Sequence, residues 1–231
     1  EKRFIYDSYS CRDLKGTHRA IKRFLYFYRK ASRNCTRTCW VLKCDIRKFF
    51  DSIDHGRLFE VLARHGLDSG TTELIGKVVE SFHSGTIGKG LPLGNLTSQL
   101  LVNIYMNELD QFIKHELKER FYIRFADDFM IIDTDRDRLE STLKIIRDFL
   151  YNKLLLSLHP DKVFIKTFAS GVDFLGWINF SDHRVLRTTT KRRMLKALRG
   201  RPSSETLTSY KGKLKHGNMY KLQKEIEDML N

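Results

Sequence analysis

At 231 residues, 41% hydrophobic and 30% charged, the chain has the length and balance of a globular protein with a sizeable core. It has no apolar run of the ~18 residues that a membrane span needs, and its start, Glu1-Lys-Arg-Phe, lacks the apolar stretch and cleavage site of a secretory signal, so the sequence reads as cytoplasmic with no membrane partner. The net charge of +14 is unevenly laid out, with +9 over residues 1–43, −4 over 44–183, +12 over 184–224 and −3 over the last seven, so that basic flanks suited to phosphates enclose a centre suited to cations.

The alternative reading of the flanks is a solubilising surface, but 13 basic residues against one acid in 184–224 is too one-sided for interspersed surface charge. The first residue is not Met, as expected of a piece of a longer protein. Cys11, Cys35, Cys39 and Cys44 crowd the start of the chain, unlike a disulfide framework. Cys35 and Cys39 are either half of a zinc site or free thiols, and no second Cys or His pair lies nearby at ligand spacing.

Trp40-Val-Leu-Lys-Cys-Asp-Ile is rich in strand formers and predicts a buried strand that breaks at Phe49-Phe50-Asp51. Asp54 reads as the N-cap of a helix through Arg64, stopped at Gly66. A second helix is expected from about Thr71 to Phe82, with Leu74, Ile75, Val78 and Phe82 on one face. After the glycine-rich 84–95, apolar Leu101, Tyr105, Leu109, Phe112 and Leu117 predict a long helix starting near Thr97 and Ser98. Phe121-Tyr-Ile-Arg-Phe and Phe129-Met-Ile-Ile flank Ala126-Asp127-Asp128, which reads as two strands joined by a tight turn. A helix follows from Asp135 with Leu139, Leu143, Ile146 and Leu150 buried, then short strands at 156–158, 163–166, 172–178 and 184–187. From Thr190 the chain is basic and helical, with a break at Gly200-Arg-Pro. This order indicates an α+β domain, an antiparallel sheet with helices packed on one face.

Three acids stand out. Asp127 and Asp128 at a hairpin tip repel one another unless they face water or a cation, and exposure is the plain reading of that pair alone. Asp45 follows a run that should be buried, where a carboxylate is rare unless paired or metal-bound. Together they meet the need of phosphoryl transfer, in which two Mg²⁺ ions about 4 Å apart stabilise the attacking and leaving oxygens.

On these residues the chain resembles the reverse transcriptases. Asp45-Ile-Arg-Lys-Phe-Phe-Asp is similar to their first catalytic motif, and Phe125-Ala-Asp-Asp to their Tyr-x-Asp-Asp box. Gly90-Leu-Pro-Leu-Gly-Asn-Leu-Thr-Ser-Gln looks like the template- and nucleotide-binding loop. Leu156-Ser-Leu-His-Pro-Asp-Lys resembles the motif that brings a lysine to the leaving pyrophosphate, Phe174-Leu-Gly-Trp the primer-grip hairpin, and Ser10-Cys-Arg-Asp-Leu-Lys-Gly-Thr-His the fingers segment. The six stand in family order over residues 8–177.

The resemblance implies a right-hand polymerase fold, with partial fingers at 1–38, a palm at 39–183 carrying a fingers insertion at about 54–92, and the start of a helical thumb at 184–231. It implies an RNA-directed DNA polymerase using an RNA template, a DNA or RNA primer, dNTPs and two Mg²⁺ ions, with Mn²⁺ as a substitute. Asp45, the backbone carbonyl of Ile46, Asp127 and Asp128 would hold the metals, and Lys162 would either donate a proton to pyrophosphate or neutralise its charge. Phe50, five residues after Asp45, takes the place of the aromatic gate that excludes a ribose 2′ hydroxyl; the competing reading makes Phe49 and Phe50 two core aromatics. Arg12 and Lys15 are candidates for the triphosphate, against ordinary surface charge. Leu93, Gly94, Ser98 and Gln99 would line the nucleotide, although Ser98 is as easily a plain N-cap. Phe174, Leu175, Gly176 and Trp177 form the implied primer grip, where the aromatics either touch the primer or pack beneath it, and Arg192, Arg193 and Lys196 would bind nucleic acid.

Within the family, many members carry Gln where this chain has Leu93 and Pro where it has Gln99. Leu-Gly-Asn-Leu-Thr-Ser-Gln, with Ser209-Tyr-Lys-Gly-Lys-Leu-Lys-His-Gly-Asn, looks most like bacterial and phage diversity-generating retroelements, which copy a template-repeat RNA with errors opposite adenine and work with an accessory protein. The alternatives are a group II intron-like reverse transcriptase and a catalytically silent RNA-binding module. A viral RNA-dependent RNA polymerase shares the acids, but an aromatic at Phe50 argues against ribonucleotide use.

Overall fold

The structure, a computed structural model, describes residues 2–199 and 203–230. The chain divides into two compact units, the first ending at Ile165 and the second beginning at Lys166.

The first unit is built on strands β1 (Trp40–Asp45), β2 (Tyr122–Phe125) and β3 (Asp128–Asp133), and β4 (Phe164–Thr167), which begins at its end, completes the sheet order β2-β3-β1-β4. Val41, Leu42, Lys43 and Cys44 are all buried, so β1 is covered on both faces, as its nearly unbroken apolar run requires. It pairs antiparallel with β3 in a register that sets Val41 against Ile132 and Asp45 against Asp128. Helix α1 (Thr17–Ala31) packs against β2 and β3 and buries Ala20, Ile21, Phe24, Phe27 and Tyr28 at helical spacing.

Four further helices precede the hairpin, α2 (Phe49–Ser52), α3 (His55–Ala63), α4 (Ser69–Glu80) and α5 (Leu96–Gln111), and α6 (Arg136–Leu154) follows β3. Asp54 and Asp135 cap α3 and α6, accepting from the backbone N–H of Arg57 at 2.9 Å and of Arg138 at 3.1 Å. The core joins Leu42, Cys44, Phe129 and Ile131 of the sheet to Tyr105 and Leu109 of α5 and to Leu139, Ile146 and Leu150 of α6.

Four local expectations change. Along α4 only Val79 is fully buried and Leu74 is 65% exposed, so the face read from Leu74, Ile75, Val78 and Phe82 is rotated. Leu117 does not extend α5, because the helix widens into a π-helical turn over Phe112–Glu116. Residues 156–158 make a single bridge, Ile46 to Leu158, since Leu155 leaves α6 in a left-handed conformation (φ 50°) and the N–H of Leu156 bonds back to Leu150. The span 172–178 is two strands, because Leu175 and Gly176 both take positive φ (53° and 83°), the signature of a tight two-residue hairpin.

The second unit holds β5 (Val172–Phe174), β6 (Trp177–Asn179) and β7 (Arg184–Leu186) in an antiparallel sheet, then α7 (Thr188–Arg199), α8 (Ser204–Leu214) and α9 (Tyr220–Leu230). Trp177 is buried there, and Gly217 admits it: a Cβ on Gly217 would lie 2.5 Å from the indole. Lys191 of α7 pairs with Glu225 of α9 at 3.0 Å. The expected break at Gly200-Arg201-Pro202 lies outside the described residues. Among the described residues no helix is long and apolar enough to cross a membrane.

Candidate active site

The end of β1 and the turn between β2 and β3 bring the three acids together. Asp45 stands opposite Asp128 in the register, and Ala126 and Asp127 form the turn, Ala126 in the left-handed region at φ 55°. That conformation is uncommon for a residue with a Cβ and must be imposed by its surroundings. The backbone N–H of Ile46 bonds the carbonyl of Asp127 at 3.3 Å, and the N–H of His159 bonds the carbonyl of Asp45 at 2.8 Å. These bonds fix Asp45, Ile46 and Asp127 as neighbours.

Two lysines face the acids. Lys43 Nζ lies 2.9 Å from Asp128 Oδ2, and Lys162 Nζ lies 3.0 Å from Asp45 Oδ1. The other oxygen of Asp128, Oδ1, is buried with no hydrogen-bond partner. Burial pushes the Asp128 carboxyl up to about 7; Lys43 opposes the shift, and the charges of Asp45 and Asp127 add to it. Asp127 moves in the same direction, chiefly through burial and then through Asp45, against Lys162 and Lys43.

The donor set is hard carboxylate oxygen, the kind that Mg²⁺ prefers, and an orphaned buried oxygen beside two other acids fits a divalent cation. Among the described residues no three acid, imidazole or thiol groups form a ready-made cage. Each of the two ammonium groups sits beside one acid, and a divalent ion would compete with them for those oxygens.

The other residues singled out by sequence fall as follows. Phe49 is buried and Phe50 half-buried, their rings 5.5 Å apart and edge-on. They begin helix α2 rather than extend a strand, so they diverge by the roughly 100° per residue of a helix and not by strand alternation. Leu93 is 73% exposed, and Gly94 has φ 84°. Asn95, not Ser98, caps α5, accepting from Thr97 N–H at 2.9 Å; Ser98 is buried one turn in, its hydroxyl without a partner, and Gln99 is half-buried beside it. Arg12 donates to the carbonyls of Ile5 and Ser8 at 2.6 and 2.9 Å, and Lys15 to that of Tyr6 at 2.7 Å, so both brace the N-terminal segment. They also line a cavity of about 910 Å³ with Arg19, Lys22 and Tyr26.

In the second unit Phe174 and Trp177 are buried and paired across the hairpin, while Leu175 and Gly176 form its half-buried tip. Arg192, Arg193 and Lys196 are exposed on α7, on the side away from buried Met194 and Leu198. Sequence reading missed the roles of Lys43 and of Arg124, whose side chain donates to the carbonyl of Ala126 at 3.0 Å. The available signal was a charged residue at an inward position of an apolar strand in each case.

The family model described as reverse transcriptase (RNA-dependent DNA polymerase) matches residues 2–179. Protein YkfC of Escherichia coli K12 is 26% identical, over 80% of this chain and 56% of YkfC. The group II intron-encoded protein LtrA of Lactococcus lactis subsp. cremoris is 24% identical, over 67% of this chain and 36% of LtrA. The telomerase of Candida tropicalis, solved in complex with a fragment of telomeric RNA, superposes with a TM-score of 0.61 at 13% identity, covering 97% of this chain and 41% of the telomerase. The chain thus spans about half or less of the length of these relatives.

Proposed function

The chain belongs to the reverse-transcriptase family, with its right-hand polymerase fold, and on that premise we propose that it is an RNA-directed DNA polymerase that extends a primer with dNTPs on an RNA template. The observation that carries this is Asp45 set opposite Asp128 and beside Asp127, with a buried carboxylate oxygen left open. Asp45, Asp127, Asp128 and the carbonyl of Ile46 would hold two Mg²⁺ ions, which lower the pKa of the primer 3′ hydroxyl and stabilise negative charge on the phosphate. The hydroxyl attacks the α-phosphate, forming the new phosphodiester as the bond to pyrophosphate breaks.

Lys162, which lies 3.0 Å from Asp45, would on leaving it meet the pyrophosphate charge. Phe50 is the proposed sugar gate and Leu93, Gly94, Ser98 and Gln99 the nucleotide wall; Arg12 and Lys15 act on the triphosphate only after leaving their carbonyl partners. The fingers, palm and thumb are proposed at 1–38, 39–183 and 184–231, with the primer grip at 174–177. Primer extension on an RNA template with labelled dNTPs or rNTPs and Mg²⁺ tests the reading. Asp127→Asn should abolish extension and leave RNA binding largely intact; extension near the parent rate would end it.

We further propose that the element served is a bacterial or phage diversity-generating retroelement with an accessory protein. Its support is Leu93, which offers contact area where an amide could hydrogen-bond and penalise misaligned pairs. Sequencing of cDNA should find frequent misincorporation opposite template adenine, reduced about tenfold or more by Leu93→Gln. The second reading, an intron-like enzyme, is favoured by the likeness to LtrA and gains if adenine is copied accurately.

A further inference from the structure

Arg124 lies two residues before the turn that bears Asp127, and its side chain is 0% exposed. A guanidinium has five N–H groups, and here each one has an acceptor. Nε donates to Asp110 Oδ1 at 2.8 Å; Nη2 donates to Asp110 Oδ2 at 2.6 Å and to Ser8 Oγ at 3.2 Å; Nη1 donates to the Ala126 carbonyl at 3.0 Å and to Asn103 Oδ1 at 3.4 Å. Asp110 is itself completed by the hydroxyl of Tyr122 at 2.7 Å. The backbone of Arg124 is held too, its N–H by the carbonyl of Asp7 at 3.0 Å and its carbonyl by the N–H of Tyr9 at 2.9 Å.

A buried ion pair is poor evidence for stability, because well-packed apolar residues of similar volume often do as well. What they cannot do is hold a backbone carbonyl. The Ala126 carbonyl belongs to a left-handed residue whose geometry sets the direction of Asp127. We propose that Arg124, locked by Asp110, is a positioning residue of the acid site: it fixes the Ala126-Asp127 turn in the orientation that presents Asp127, and it joins that turn to the N-terminal segment 7–10 and to α5. The proposal rests on the polymerase reading. Lysine cannot replace it, since one ammonium has three donors at a single point and cannot span these acceptors.

Two variants test this. Arg124→Met/Asp110→Leu exchanges the buried pair for apolar volume, and Arg124→Lys keeps the charge but loses the fork. Thermal unfolding reports the fold, and Mn²⁺ binding, followed by electron paramagnetic resonance without nucleic acid, reports the acids. Steady-state extension separates kcat from KM. The double variant is expected to melt near the parent, yet to bind Mn²⁺ about 10- to 100-fold more weakly, with a lower kcat and an unchanged KM for dNTP. The lysine variant should move the same way.

Parent-like Mn²⁺ affinity and kcat in either folded variant would overturn the proposal, and so would failure of both variants to fold, which would make the pair a structural element only. If instead the unmodified chain neither binds Mn²⁺ nor extends a primer, it is the polymerase reading that fails.

Discussion

Two clusters of charge meet on the β2–β3 hairpin, and they differ in how completely they are matched. Around Arg124 every donor has an acceptor and the charges of Arg124 and Asp110 cancel out of reach of water. At the turn beyond it three acids face two lysines, and Asp128 Oδ1 has no partner. The first arrangement is closed and can only hold shape. The second is open, and its deficit is positive charge, which a ligand can bring. The exposed Arg192, Arg193 and Lys196 on α7 are a third case, cations with water around them and no ion pair among the described residues.

The contrast can be broken most forcefully at Asp110. Asp110→Ala leaves a guanidinium buried and uncompensated, and urea unfolding should show a loss of about 3–5 kcal/mol; a loss under ~1 kcal/mol would mean that the closed cluster is wet or mobile.

A middle-sized effect belongs to Asp128. Its carboxyl is raised from 3.8 to about 7, so the folded chain keeps a proton that the unfolded chain releases as the pH climbs between those values. That contribution to stability is full below about pH 4 and is lost as the pH rises to about 7, by up to ~1.4 kcal/mol per pH unit. Asp127 leans the same way. Melts recorded with a chelator from pH 4 to 7 should therefore fall, and Asp128→Asn should flatten the trend; a parent chain indifferent to pH across that window would show the acids to be better solvated than their burial implies.

The smallest expected stability change is on α7. Removing Arg192, Arg193 and Lys196 together should leave the melting point within what ~0.5 kcal/mol would shift. It should still lower the slope of log affinity for primer-template against log salt by up to ~0.9 for each phosphate that is no longer neutralised. An unaltered slope would assign this face to solvent or another partner.

Much of this was legible in the chain. Asp45 and the Asp127-Asp128 pair stand out because each breaks an apolar run, and the caps Asp54 and Asp135 because short acids precede periodic apolar residues. What the sequence hides is pairing at a distance. Arg124 reads as one residue of a strand, and Asp110 as one polar position in a helix, although Asn103, Asn107 and Asp110 form a polar stripe at helical spacing beside the apolar one. Ser98 is a credible cap by type, but capping depends on which residue stands one step outside the helix, and Asn95 does. The inner face of α4 is misread for a related reason, since Leu74, Ile75, Val78 and Val79 spread over a wide arc of the helix and its neighbours decide which edge of that arc is buried.

Ser8 and Arg124 are 116 positions apart, and Asp45 and Lys162 are 117 apart. Pairings of such separation require large loops to close before they repay the lost chain freedom, and they slow folding. On the ribosome the segment 7–10 emerges long before the strand that receives it, and β1 emerges long before Lys162. The order of synthesis thus leaves the acid turn incomplete until Lys162 has emerged, and chains interrupted before Arg124 carry Asp45 without the framework that would give it a use.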